Sequence, residues 1–580
     1  MKRFKTSLLL FLVVLSAFAI ILTGCGGGGG TTPTTQTISG VAAAGLPIVG
    51  YVYLKDSASN TLGPNPIASD GSFSFNVTGL TAPFYLRAQG SVAGTSYELY
   101  SATTSAGTAN INPLTDLAVA AAAGVMDPAS VYNNPAQNPI TQANLDNAVA
   151  DIQNMLAPLL DAYNANINPI TGAYTADHTG LDAVFDVVSV NINPADGSVA
   201  VVNSVTDATI ASAATTALSN PTDTITQTEV DNAQTATTDL QAIQTMSSQF
   251  TTAINKRANL TAADLEPFFA TNFGISDGFD RTQIINENLS DFQGWTKTIT
   301  SMNITIKAMG ADYKVDGVGY MSDGSFGFWE EGCIVTNEGG SWKLKGNGYK
   351  SEIDFAPMTN RWIKADSTVQ TESGFDTYIK DNGNYGLQSA KITGPGLPTG
   401  GITLSKPANE PVRLWLDTQY QNTTIPTYNW NFYVMSDTTI SSIPDNSTYT
   451  IEIYDANGGL IETRTRKFPK RPFMRSEVTD GYFPTFGGIT SHSISAANIG
   501  STLSFTYAKP TAFLTAWLDA SLNFWDYSGN SAWYDVDLLL NQSSGSIISG
   551  TPLWTPTQGH FSIWTSDIYG RQIVLCWMFQ

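Results

Sequence analysis

The stretch ITSMNITIKAMGADYKVDGVGYM, residues 299–321, reads as two β-strands, 299–309 and 313–321, joined by a tight turn. Two more strands follow at 325–336 and 341–348. On the N-terminal side the apolar period changes from two to 3.6, and Leu240, Ile243, Met246, Phe250 and Ile254 fall on one face of a long helix. Thr261, with Asp264 three residues on, has capping-box spacing and starts a second helix over 261–269. A third, short helix covers 281–289. Three helices followed by a curved antiparallel sheet predict an α+β unit over 238–350.

Beyond it the chain reads as all-β. All twelve tryptophans lie at or after Trp295, and eight fall between Trp415 and Trp577, so this half buries large aromatics. Strands are expected at 412–417 and 428–435, and a hairpin at 449–466 turns on Ala456-Asn457-Gly458-Gly459. Further strands are expected at 502–507, 512–518, 533–540 and 573–579. The spacing predicts two sandwiches, 351–467 and 468–580, broadly similar to fibronectin or immunoglobulin domains. Before the α+β unit, 111–237 reads as a small helical domain. Leu145, Ala148, Val149, Ile152, Met155, Leu156, Leu159 and Leu160 form one stripe behind Thr141, and Ala-rich helices are expected at 114–124 and 210–218. A short helix and a hairpin around Asp196-Gly197 fill 181–202.

The α+β order, ending in GGSWKLKGN at 339–347, resembles the cone-shaped ketosteroid-isomerase-like (SnoaL-like) superfamily. That resemblance implies a pocket, which enzymatic members equip with an Asp base or an Asp–His pair and Tyr donors. Residues 238–350 contain no histidine. Asp312, Asp316 and Asp323 are expected at turns rather than mid-strand, and Tyr313 and Tyr320 in the core or on a pocket wall. A ligand pocket or a scaffold is therefore expected in preference to a catalyst. At 37–110, Ile38-Ser39-Gly40-Val41 and Asp70-Gly71-Ser72-Phe73-Ser74-Phe75 resemble the carboxypeptidase-regulatory, transthyretin-like β-sandwich, a spacer module without catalytic residues.

Met1–Lys5 carries three cations and 7–22 is an apolar run, the layout of a secretory signal occupying 1–24. The run ends in Leu22-Thr23-Gly24-Cys25, which resembles the bacterial lipobox and implies diacylglyceryl attachment at the Cys25 thiol. Acyl chains at about 0.8 kcal/mol per buried CH₂ would hold the protein on a bilayer through a Gly/Thr linker at 25–36. Gly26, where some bacteria read Asp as an inner-membrane signal, leans towards the outer membrane. The expected architecture is multidomain and mainly β with α+β: a β-sandwich, a small helical domain, an α+β cone, then two C-terminal β-sandwiches.

The 580 residues carry a net charge of −21, and −24 once 1–24 are removed, which argues against nucleic acid as a partner. After Cys25 only Cys333 and Cys576 remain, free of any haem, zinc or thioredoxin spacing; they are read as two buried thiols or one long-range disulfide. His178, His492 and His560 fall in different domains outside any motif. GxSxG, HExxH, Walker and EF-hand patterns are absent, so no catalytic residue, metal ligand or cofactor is assigned. Asp535 and Asp537 share a strand face and read as surface.

Two constellations stand out. Arg464, Arg466, Lys467, Lys470, Arg471 and Arg475 put six cations within twelve residues, either as a contact for acidic polysaccharide, lipid phosphates or an acidic domain, or paired with acids of the same chain. Trp525, Tyr527, Trp533 and Tyr534 flank the turn Ser528-Gly529-Asn530, as glycan contacts or as cross-strand pairs. The chain is expected to be a lipid-anchored cell-envelope protein that binds, adheres or scaffolds, with a polysaccharide or an envelope protein as partner. An envelope or extracellular hydrolase or isomerase, using the cone or the last sandwich, is the alternative.

Overall fold

The computed structural model describes residues 35–580 apart from 94, 409, 411, 428–429, 496–498 and 527–529, and apart from the side chains of 328–331. The lipobox residues Leu22, Thr23 and Gly24, Cys25 and Tyr527 lie outside the described residues. The protein is mostly β, built of several sheets. No described helix is long and apolar enough to cross a membrane.

Two sheets face each other in the first module. One has the order Ser72–Asn76, Thr37–Val41, Gly107–Thr108, and the other Thr61–Pro66, Val49–Lys55, Phe84–Val92, Thr95–Thr103. The period-two reading of Ser72-Phe73-Ser74-Phe75 matches the burial, since both phenylalanines enter the core shared with Ile38 and Val52.

Helix Gln142–Ala162 buries the eight stripe residues read from the sequence, and Thr141 Oγ1 accepts from Asn144 N at 3.2 Å as its N-cap. Residues 210–218, read as a helix, instead contribute to strand Thr209–Ala214. That strand closes an antiparallel sheet with Ser198–Asn203 and Val188–Ile192. The strand lies at the sheet edge, paired to Ser198–Asn203, and its Ile210 and Ala211 reach the core, so tertiary pairing overrides the helical preference of alanine.

Helix Gln227–Ile254 crosses the boundary expected at 237/238. Its first half packs Val230, Ala233 and Leu240 against the helical module, and its last turns bring Phe250 and Ile254 into the cone. The core around it is continuous from Tyr85 and Tyr100 of the first sandwich to Ile304, Val315 and Trp342 of the cone sheet. That sheet is a meander of Ile299–Met309, Asp312–Met321, Phe326–Glu338 and Ser341–Leu344, behind helices Ala262–Leu265 and Arg281–Gly294.

C-terminal to the cone, one 12-stranded sheet crosses the boundary expected at 467/468. The hairpin Glu352–Ile363/Val369–Lys380 is its centre. On one side Val369–Lys380 leads through Arg413–Leu416, Ile402–Ser405 and Ser389–Thr393 to the hairpin Ser447–Tyr454/Leu460–Phe468. On the other, Glu352–Ile363 pairs in parallel with Gln572–Phe579, from Met358↔Gln572 to Ile363↔Trp577. Gln558–Asp567, Thr515–Trp525 and Ser531–Leu538 continue outward. Separate cores around Phe375 and Phe561 are thus joined by main-chain hydrogen bonds.

Candidate functional site

Strand Thr515–Trp525 lies between Ser531–Leu538 and Gln558–Asp567. Its register sets Asn523 opposite both Trp533 and His560, and Trp525 opposite both Ser531 and Gln558. Side chains alternate along a strand, so these residues share one face. There the Trp525 and Trp533 rings stand 5.6 and 6.3 Å from the His560 ring, and Trp525 Nε1 donates to Gln558 Oε1 at 2.7 Å, which fixes the indole. His560 is fully buried, and burial pushes its imidazole down to about 3, so a neutral ring supports both tryptophans.

The facing wall comes from the other half of the sheet. Trp415 and Trp430 lie 5.6 Å apart at 34°, and Tyr378 is 6.0 Å from Trp430. The Arg413 guanidinium sits 5.7 Å from the Tyr378 ring and 5.9 Å from Trp430, and its Nε donates to the Tyr378 hydroxyl at 3.2 Å. Glu410 Oε1 accepts from the amides of Val412 and Arg413 at 3.1 and 3.2 Å. Strand Phe432–Val434, which follows Trp430, lies against Gly374 so closely that a Cβ there would fall 1.8 Å from the Tyr433 carbonyl oxygen.

Between the walls is a cleft of roughly 720 Å³ lined by Trp415, Trp430, Trp525, Trp533 and Tyr378, with Arg413, Glu410, Asn523, Asp526 and Asn530 among its polar groups. Trp533 is 49% exposed, so an aromatic plate faces solvent. Asp526 accepts from Asn530 N and Nδ2 at 2.9 and 2.8 Å, which orders the rim. Trp415 Nε1 and Asn523 Oδ1 are buried with no hydrogen-bond partner, which leaves a donor and an acceptor unused at the walls. Flat aromatic plates edged by donors and acceptors suit a ligand with apolar C–H faces and hydroxyl edges, the surface of a sugar ring.

Of the four aromatics singled out from the sequence, the structure brings Trp525 and Trp533 together. Tyr534 follows Trp533 in the strand and so faces the opposite side, where it packs on the core and donates to the Gly550 carbonyl at 3.1 Å. Tyr378, Trp415, Trp430 and Arg413 were not anticipated, because nothing local links them to Trp525.

The basic cluster is a joint of the fold. Arg464 is 3% exposed; its Nη1 donates to the Ser351 carbonyl at 2.7 Å and to Asp277 Oδ1 at 3.3 Å, linking sheet and cone. Arg466 donates to the Ile353 carbonyl at 2.8 Å, Lys470 pairs with Asp445, and Arg471 grips Glu477 with two donors. Arg475 pairs with Glu372 at 2.8 Å and Asp437 at 3.4 Å. Lys467 is exposed. The expected anion-binding face is thus mostly spent on internal partners. Asp537, read as surface, sits opposite Asp519 across the ladder, and burial raises the Asp519 carboxyl to about 7 against the pull of Lys297.

The cone encloses a cavity of roughly 340 Å³ walled by Phe250, Phe269, Phe292, Trp295, Val315 and Val335. Ser247, Ser276, Asn288 and Asp291 supply its polar atoms; Asp291 is exposed at the rim, and partial burial raises its carboxyl. Asp316 lies mid-strand rather than in a turn, but on the face opposite the cavity-lining Val315, and its Oδ2 accepts from Lys314 at 3.0 Å. Asp312 pairs with Lys345, and Asp323 sits in a turn where it accepts from the Leu540 amide at 2.9 Å. Tyr313 donates to Asp239 at 2.7 Å, and Tyr320 packs on Phe326. Cys333 lines the cavity with its thiol pushed up to about 12 by burial; Cys576 is buried in the large sheet, and both are free.

No protein-family model matches the chain, and no curated protein matches it. Among solved structures, a biofilm-associated protein BSP domain aligns at 11% identity and a TM-score of 0.15 over 46% of this chain, which spans 42% of that chain. A bacterial ice-binding adhesin aligns at 14% and 0.14 over 47% of this chain and 74% of its own. A Ca²⁺-stabilised, ice-binding adhesin of an Antarctic bacterium aligns at 11% and 0.14 over 94% and 98%. At these TM-scores the alignments carry no argument about fold or function.

Proposed function

We propose that the protein is a non-catalytic binding protein of the bacterial cell envelope, held by a lipid on Cys25, that takes a polysaccharide into the tryptophan cleft. The observation that carries this reading is the cleft itself: Trp415 and Trp430 from one half of the sheet face Trp525 and Trp533 from the other, with Arg413, Glu410, Asp526 and Asn530 beside them. Lipid attachment rests on Leu22-Thr23-Gly24-Cys25. The test is affinity electrophoresis and tryptophan quenching of the full chain against a neutral glucan, a galactomannan and an alginate. Saturable quenching by at least one, weakened in W525A and W533A, supports the cleft; no retardation by any of them sinks it. Protease shaving of intact cells, followed with an antibody to the C-terminal region, then distinguishes an external from a periplasmic polymer.

A second reading concerns the cone, whose cavity has aromatic and aliphatic walls and a volume within the range of small-ligand sites. It suits an apolar molecule with one polar end near Ser276, Asn288 and Asp291. Uptake of an apolar fluorescent dye that W533A leaves unchanged would separate this site from the cleft.

A further inference from the structure

Between Arg87 and Lys256 the chain contains no lysine or arginine, yet that stretch carries fifteen aspartates and glutamates. Its single histidine, His178, stands at the entrance to helix Gly180–Val187, and Asp182 and Asp186 follow at i+4 and i+8, one helical turn apart. One ligand atom from each of the three residues lies within 4.8 Å of the other two. His178 Nδ1 is 2.9 Å from Asp186 Oδ2, and the His178 amide donates to Asp182 Oδ2 at 2.8 Å.

Burial makes this more than an acidic patch. Asp182 is fully buried and Asp186 is 7% exposed. The second oxygen of Asp182, Oδ1, has no hydrogen-bond partner. Two carboxylates out of water with one imidazole between them leave negative charge uncompensated, and the sequence around them supplies no side-chain cation. Only His178, with its side chain 22% exposed, opens the cluster to solvent.

We propose that His178, Asp182 and Asp186 form a binding site for one divalent transition-metal ion, of the zinc or manganese class. An imidazole with two carboxylates is a donor set for such ions, whereas calcium takes oxygen ligands alone. A tetrahedral ion with bonds of about 2.0–2.1 Å holds its ligand atoms roughly 3.4 Å apart, so binding opens the His178–Asp186 contact slightly and draws Asp182 in. A solvent molecule at the His178 side completes the shell.

The ion would act as a clip. The segment leading to His178 is pinned to the end of the first sandwich: Asn110 N donates to the Ile170 carbonyl at 2.8 Å, Asn110 Nδ2 to Gly172 at 2.7 Å, and Asn112 Nδ2 to Pro169 at 3.0 Å. On the far side of the cluster, the Phe185 carbonyl lies where a Cβ on Gly45 of that sandwich would meet it at 2.6 Å. Joining His178 to Asp182 and Asp186 ties this segment to the helix and stiffens the joint between sandwich and helical module.

The test is titration of the EDTA-stripped full-length chain with Zn²⁺, Mn²⁺, Co²⁺ and Ca²⁺ by calorimetry, with Co²⁺ also followed by its visible absorption. The expected result is one equivalent of Zn²⁺ or Mn²⁺ per chain and a cobalt band that is lost in H178Q. D182N should weaken binding by about 100-fold or more, while D196N, an exposed aspartate of the same module, should change nothing. Because D182N removes a buried charge and can affect folding, the cobalt spectrum of the unaltered chain and H178Q at the open edge decide the matter by themselves. No saturable uptake of zinc, manganese or cobalt, uptake unchanged in H178Q, or binding of calcium alone overturns the proposal.

Discussion

The cone cavity is enclosed by one continuous segment, from Ile243 to Gly346, whose helices and meander were legible in order along the chain. The tryptophan cleft takes one wall from 378–430 and the other from 523–533, and these meet only because Glu352–Ile363 pairs in parallel with Gln572–Phe579. The first is lined by rings that also form a core, so its shape and its stability are the same property. In the second, Trp533 stands half exposed, so its removal should leave the fold nearly intact, whereas Trp525 also packs on the core of the large sheet. A cavity made within one module reports on packing, and a cleft made between two reports on assembly.

The largest effect should come from breaking the cone. Phe292 packs on Phe250 at 6.3 Å and Trp295 at 5.0 Å, and F292A should cost about 3–5 kcal/mol of stability by denaturant unfolding, with glycan quenching at the cleft unchanged. If quenching falls in parallel, the two sites are not independent. G374A should act next. An added methyl meets the Tyr433 carbonyl oxygen, and a displaced strand Phe432–Val434 carries Trp430 away; about 1–3 kcal/mol and most of the cleft binding should be lost, with cone dye uptake retained.

Acid should then separate the halves. His560 has its folded pKa lowered to about 3, below an unfolded value near 6.5, so its contribution is complete above about pH 6.5 and is lost as pH falls towards 3. The slope is about 1.4 kcal/mol per pH unit, and H560Q should flatten it in urea midpoints measured from pH 7 to 5. The smallest effect on the fold belongs to W533A: with the side chain half exposed, the melting temperature should barely move, while glycan affinity drops about tenfold, or 1.4 kcal/mol. An unchanged affinity would make Trp533 a cross-strand packing residue only.

Where elements are amphipathic the reading and the fold agree. The strand at 299–309 and the stripe from Leu145 to Leu160 have one wet face and one dry face, and their periods show it. The hairpin Glu352–Ile363/Val369–Lys380 went unread for the converse reason. Its first strand is buried through both faces from Phe355 to Asn360 and includes Pro357, Thr359 and Asn360, so no alternation marks it. Gln558–Asp567, buried from Gly559 to Ile563, hid in the same way. The i, i+4 spacing of His178, Asp182 and Asp186 was present in the sequence, but only burial gave it chemical meaning.

By itself the sequence determined the mainly β character, the helix-rich and α+β stretches in the middle and the concentration of tryptophans from Trp295 onward. Each of these depends on residues near one another along the chain, where period, capping and composition act. Only the tertiary structure decided that the two C-terminal units share one sheet, that most of the basic cluster is consumed internally, and that Trp415 and Trp430 face Trp525 and Trp533. The shared sheet and the cleft rest on a parallel strand pair whose members are some two hundred residues apart, and its main-chain hydrogen bonds leave no local signature in side-chain pattern.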